Sequence, residues 1–185
     1  LVDEREEPAL RSAEVLDAVS DPDFQTELGQ FNVEINVPPA RLRPTEPGGP
    51  GGLTVFEETL RRSLNEAEQA SARVGAHLVM IGILPTLGQG HMHPSSLSPN
   101  PRYALLSDQI LAARGEDIVI DIEGVEHVTT TTDTIVPEAA CTSTQLHVQT
   151  SPDDFAAYWN ASQAVAGIQV ALGANAPYLL GREVW

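Results

Sequence analysis

Apolar and polar side chains alternate most strictly near the start of the chain, where Phe31, Val33, Ile35 and Val37 interleave with Gln30, Asn32, Glu34 and Asn36. A period of two predicts a strand with one apolar and one polar face. Pro38-Pro39 ends it, because proline cannot donate to a ladder. Glu34 falls mid-strand on the polar face. Glu27 lies seven positions earlier, an odd separation that puts it on the opposite face of a regular strand. A bulge at Gly29 adds one residue and brings it round to Glu34. Two carboxylates on one face repel unless a proton or cation lies between them. The pair is therefore a candidate divalent-metal site, with a solvated edge strand as the plainer alternative.

The pattern elsewhere predicts helices alternating with strands. Residues 1–7 read as a strand end running into an acidic turn, and Ser12 can cap a short helix over 13–19. Residues 44–52, rich in Pro and Gly, read as a mobile surface loop. The next helix has a capping box at Thr54 and Glu57, a buried stripe of Phe56, Leu60, Leu64, Ala67, Ser71 and Val74, and Gly75 at its end. The nearly continuous apolar run 77–84 predicts a central buried strand. Residues 85–103 hold four prolines within an irregular stretch that carries His91, His93, Arg102 and Tyr103, and a helix follows over 104–113. Residues 118–122 and 126–132 form a hairpin turning at Glu123-Gly124. From Thr144 to Thr150 the alternation returns, with Leu146 and Val148 on one face and Gln145, His147 and Gln149 on the other. Pro152 then opens a long helix over 155–172. No glycine-rich phosphate turn follows any strand. The fold class is α+β, with a largely antiparallel sheet and helices packed on one face.

Composition narrows the function classes. The chain has 185 residues, enough for one domain with a sizeable core. Its net charge of −16, with all ten cations Arg, argues against nucleic acid and anionic membrane as partners. Cys141 is the single cysteine and can form no internal disulfide, so a reducing cytoplasm is the default location. No apolar run approaches the length of a membrane span.

Among candidate chemistries, His147 is either a core histidine hydrogen-bonded to a neighbour or a ligand. Its flanking glutamines make an expensive polar stripe to bury without purpose. His91 and His93 have spacing seen at zinc sites, so a zinc hydrolase using them with His147 is a minor alternative. Cys141 reads as structural. Nucleophile elbow, Walker and Rossmann motifs are all missing from the sequence.

Taken in order, Glu27 with the run 31–38, the segment 98–103 ending in Pro-Arg-Tyr, the run 145–149, and residues 173–177 followed by Gly181-Arg182 resemble the glutamate–cysteine ligase family. That family is of the carboxylate–amine ligase type with a glutamine-synthetase-like fold, and the likeness runs from Asp23 onward. The resemblance implies ATP-dependent ligation, as in glutathione-like thiol biosynthesis. Glutamate is phosphorylated by ATP, and an amine such as cysteine attacks the acyl phosphate to give an amide. It implies Mg²⁺ bound at the positions of Glu27, Glu34 and His147. Arg102 is placed near the anionic groups, and Gln145 and Gln149 are assigned to cofactor binding. A homo-oligomer is compatible with all of this.

Two departures from the family pattern carry expectations of their own. Many relatives have His-Val-His where this chain has His147-Val148-Gln149. The family's opening Glu-x-Glu strand and its C-terminal half find no counterpart within 1–185, so the chain reads as the truncated first part of a catalytic domain, inactive alone. A non-catalytic ligand-binding or assembly relative is the alternative.

Overall fold

In the computed structural model, which describes residues 1–44, 49 and 51–185, the chain opens as a turn pinned by Asp3. Its Oδ1 accepts the main-chain N–H groups of Arg5 and Glu7 at 2.8 and 3.0 Å. Val2 bridges both Pro8 and His77, tying this turn to the middle of the chain. Helix α1, Ser12–Val19, follows and ends at Ser20 in the left-handed region, φ 52°. Ser12 does not cap it. Arg11 holds the cap position, and Ser12 is buried as the first helical residue.

Strands β1, Phe24–Thr26, and β2, Val33–Ile35, pair antiparallel, with Gln25 opposite Glu34 and Thr26 opposite Val33. The expected strand over 30–37 is thus reduced to its centre. Gly29 makes no bulge; it bridges Leu97 while the chain turns back between β1 and β2.

Helix α2, Gly52–Ala72, starts two residues before Thr54, with Gly51 at its cap and no side-chain capping bond. Glu57 pairs instead with Arg61 at 2.6 Å, one turn on. Ala67, Ala70 and Ser71 are the buried part of its stripe, and Gly75 takes the left-handed conformation (φ 70°) that lets the chain leave the helix. Much of the predicted Pro/Gly loop, residues 45–48 and 50, lies outside the described residues.

The run 77–84 is not a central strand. Only His77 makes a bridge, and Val79 and Met80 are 48% and 69% exposed. An apolar run reports a tendency to burial, but a ladder also needs a neighbour offering N–H and C=O groups in register, and here Val2 pairs with His77 while Gly82 makes single bonds to Asn175 and Thr142.

Helix α3, Pro101–Arg114, begins three residues earlier than expected and so takes in Arg102 and Tyr103. Asn100 caps it, its Oδ1 accepting the Arg102 N–H at 3.0 Å, and Pro101 occupies the first turn where no donor is needed. Strands β3, Ile118–Glu123, and β4, His127–Thr132, form the expected hairpin, from Ile118 opposite Thr132 to Glu123 opposite His127. Helix α4, Val136–Ala140, was not foreseen.

Residues 141–150 form no strand and are exposed except at the last position. The alternation there is real, but only Thr142, at its start, bonds to another segment, at Ile81 and Gly82, and no ladder extends from it. Helix α5, Phe155–Gly173, has the expected length, yet none of its residues is buried. The chain closes with β5, Tyr178–Leu179, and β6, Arg182–Glu183, joined through Leu180 and Gly181, both at positive φ (53° and 78°) as a two-residue hairpin requires.

Helices and antiparallel pairs make this an α+β fold, as the pattern predicts. Among the described residues the pairing is divided among three two-stranded ribbons rather than one sheet with helices on one face, because neither 77–84 nor 144–150 enters a ladder. The main core gathers Leu28, Phe31, Leu87 and Leu97 with Ile135, at the cap of α4, and Val136, Ala139 and Ala140 within it. A smaller one joins Ala9, Val15 and Ala76. Accessible surface totals 12742 Å², against roughly 8,600 Å² for a compact 19.8 kDa monomer. Helix α5 and the open β3–β4 ribbon contribute to the surplus.

Candidate functional site

A pocket of about 440 Å³ opens where α1, the β1–β2 hairpin and the start of α3 meet, lined by Leu16, Phe24, Gln25, Thr26, Glu34, Asn100, Arg102 and Tyr103. Its chemistry is mixed: a carboxylate from β2, a guanidinium and a phenol from α3, and amides from β1 and the α3 cap. Each arrives for a local reason. Glu34 projects from the polar face of β2 beside Gln25. Arg102 and Tyr103 are in the first turn of α3, where the Asn100-Pro101 start sets their direction.

What brings α3 to the hairpin is a clip between residues 26–30 and 95–103. Gly29 bridges Leu97. Ser98 N–H donates to the Leu28 carbonyl at 2.9 Å and Gln30 N–H to the Ser96 carbonyl at 2.8 Å. The Gln30 amide donates to the carbonyls of Ser95 and Leu97 at 2.6 and 3.0 Å. Ser98 Oγ reaches the Glu27 carbonyl at 2.6 Å. At the far end Tyr103 Oη donates to the Thr26 carbonyl at 3.0 Å. Glu27, one residue past β1, is therefore held on its main chain from both sides, and its Oε1 accepts the Leu28 N–H at 2.6 Å.

Electrostatics report the same grouping. Burial raises the Tyr103 phenol above its ordinary value, and the charges of Glu27 and Glu34 add to that against the opposing pull of Arg102. Two carboxylates, one guanidinium and one phenol thus share a neighbourhood. Glu34 lines the pocket with Arg102 and Tyr103, whereas Glu27, one residue past β1, lies outside its lining; what relates the two glutamates is the β1–β2 pairing, not a bulge in a single strand.

The remaining candidates lie apart. Gln145, His147 and Gln149 sit on the exposed segment 141–150, and none of them lines the pocket. Among the described residues no three His, Cys, Asp or Glu side chains are grouped as a metal site. His147 therefore does not join the two glutamates here, nor do His91 and His93 form a zinc centre with it. His91 Nδ1 accepts the Gly88 N–H at 3.2 Å, a turn-forming role, and His93 precedes the short helical turn Pro94–Ser96. Cys141 is no activated nucleophile: although it reaches solvent, partial desolvation and then the Glu138 charge raise its pKa. As a donor set, two carboxylates are hard oxygen ligands of the kind Mg²⁺ takes one or two at a time, completing its shell with water and phosphate. Glu27 and Glu34 fit that requirement.

Three members of this neighbourhood have no role assigned by the sequence: Tyr103 and Ser98, although both lie in the 98–103 segment, and Gln30. The Asn-Pro signal at 100–101 was available to place Arg102 and Tyr103 on a helix; nothing local marks Ser98 or Gln30.

No described helix is long and apolar enough to cross a membrane. No curated protein and no solved structure matches the chain. One family model does, glutamate-cysteine ligase family 2 (GCS2), over residues 2–185. The match takes in the hairpin, the 95–103 clip and the exposed 141–150 segment alike, and the chain belongs to the glutamate-cysteine ligase family 2.

Proposed function

We propose that the chain carries part of the catalytic face of an ATP- and Mg²⁺-dependent carboxylate–amine ligase acting on glutamate. The observation that carries this reading is one pocket lined by Glu34, Arg102 and Tyr103, with Glu27 one residue past the strand end that Tyr103 holds, in a member of a glutamate-cysteine ligase family. Bound Mg²⁺ would supply charge neutralisation along the phosphates of ATP, held by Glu27 and Glu34. Arg102 would draw in and orient an anionic group, the substrate carboxylate or a phosphate, and its fixed place on the first turn of α3 limits the orientations available. The substrate carboxylate takes the γ-phosphoryl group, ADP departs, and an amine such as cysteine attacks the acyl carbon, releasing phosphate and a proton as the amide forms. His147, Gln145 and Gln149 lie on the exposed segment 141–150, away from the pocket, and enter this reading only through the family resemblance.

The excess accessible surface and an α5 without a buried residue favour a polypeptide that packs against further structure of a glutamine-synthetase-like catalytic domain, with residues 1–185 as a single unit inactive alone. The test is ADP release from Mg²⁺-ATP with glutamate and a panel of amines, on this chain and on a longer polypeptide containing it. Amine-dependent turnover by the longer form supports the reading. Its failure with every amine removes the ligase assignment.

A second reading, a non-catalytic relative that binds ligand or assembles with others, is favoured by the two-carboxylate donor set, which lacks a third protein ligand among the described residues. Stoichiometric nucleotide binding without turnover in any form would select it.

A further inference from the structure

The pocket contains one group to which the ligase reading gives no task. Tyr103 is half-buried. Its ring packs against the main core. Its hydroxyl leaves that core to reach the Thr26 carbonyl at 3.0 Å, across 77 residues of sequence. Thr26 is the last residue of β1 and immediately precedes Glu27. Its register partner is Val33, which immediately precedes Glu34. One bond thus holds the short two-stranded ribbon at the level where both carboxylates leave it. Ser98 holds the next carbonyl, that of Glu27 itself. The ribbon needs such support, because three residue pairs form a weak ladder on their own.

We infer that Tyr103 is the positioning residue of the acidic pair: its hydroxyl anchors the end of β1 to α3 and so fixes Glu27 in relation to Glu34. This rests on the reading of the two glutamates as cation ligands. It adds a claim about which atom sets their geometry. The ring supplies packing and the hydroxyl supplies alignment, and the two contributions separate under substitution. Tyr103→Phe keeps the ring and removes only the bond to Thr26. Tyr103→Leu removes both.

The test is Mn²⁺ titration of the whole chain by electron paramagnetic resonance, with Mg²⁺ as competitor, on the wild type, Tyr103→Phe, Tyr103→Leu and Glu34→Gln. Circular dichroism confirms that each is folded at the temperature used. The expected result is Mn²⁺ binding by the wild type that Glu34→Gln abolishes, with affinity about tenfold weaker in Tyr103→Phe, the usual scale for losing a group that orients a ligand. A packing role alone leaves Tyr103→Phe at wild-type affinity and weakens only Tyr103→Leu, and that outcome overturns the inference while leaving the metal reading in place. Wild-type protein that binds no Mn²⁺, or Glu34→Gln that binds as well as wild type, overturns the metal reading and the inference with it.

Discussion

Ser98 Oγ donates to the main-chain carbonyl of Glu27 at 2.6 Å, a bond between residues 71 apart in sequence. Ser98 is 3% exposed, so the bond forms away from bulk water. Removing the hydroxyl leaves the Glu27 carbonyl short of a partner in a place water reaches poorly. We expect Ser98→Ala to lower stability by about 1–2 kcal/mol, read as a lower midpoint of urea unfolding with an unchanged slope. A midpoint within error of wild type means the hydroxyl is not shielded there.

Thr134 gives the opposite case. It is 1% exposed, and its Oγ1 has no hydrogen-bond partner among the described residues. A buried hydroxyl without a partner costs on the order of 1–3 kcal/mol relative to a methyl group of similar size. Thr134→Val should therefore raise stability by about 1 kcal/mol, seen as a higher thermal midpoint. A fall would show that the hydroxyl is satisfied in solution.

Glu68 holds the exit from α2. Burial acts against its charged form, but the Leu78 N–H at 2.6 Å and His77 Nδ1 at 2.7 Å outweigh it and lower its pKa below 4.5. A carboxylate with a depressed folded pKa contributes stability that is complete above its ordinary value and is lost as pH falls through the folded one. Asp3, Asp121 and Glu126 are depressed as well, by main-chain donors at Asp3 and Glu126 and by His127 at Asp121. The protein should thus lose stability as pH drops below about 4.5. Glu68→Gln should flatten that decline, measured as unfolding midpoint against pH. An acid limb of the same steepness in the variant would remove Glu68 from the account.

Leu180 sits at φ 53° in the turn between β5 and β6. A branched side chain in the left-handed region costs about 1 kcal/mol, which Asn or Gly largely avoids. Leu180→Asn should raise stability by a few tenths to about 1 kcal/mol in chemical denaturation. A loss exceeding that would mean that the half-buried leucine earns more by packing than its backbone gives up.

How much of this was legible in the sequence depends on whether the controlling partner was local. The β3–β4 hairpin and the lengths of α2 and α5 follow from periodicity and turn residues within a few positions. The segments 77–84 and 144–150 carry strand patterns as clear as any, yet Val79 and Leu146 are exposed because pairing is decided by a second segment that the local pattern does not name. For the site, Glu27, Glu34 and Arg102 could be picked out by type and order. Their grouping could not, since it depends on Gln30, Ser98 and Tyr103 reaching main-chain carbonyls 65 to 77 residues away. Asn32 is similar: a polar residue on an alternating strand by pattern, but buried in fact, with its amide donating to the Ala139 carbonyl.

The clip between 26–30 and 95–103 also has a kinetic consequence. It closes a loop of about seventy residues, and closure entropy must be met before any of its bonds form. The 21-residue helix α2 depends mostly on bonds close in sequence and can begin to form without it. The pocket should therefore be among the last parts of the molecule to assemble and among the first to open. In hydrogen exchange, the amides of Gln30 and Ser98 should lose protection while the middle of α2 keeps it, so that the acidic pair comes apart before the fold does.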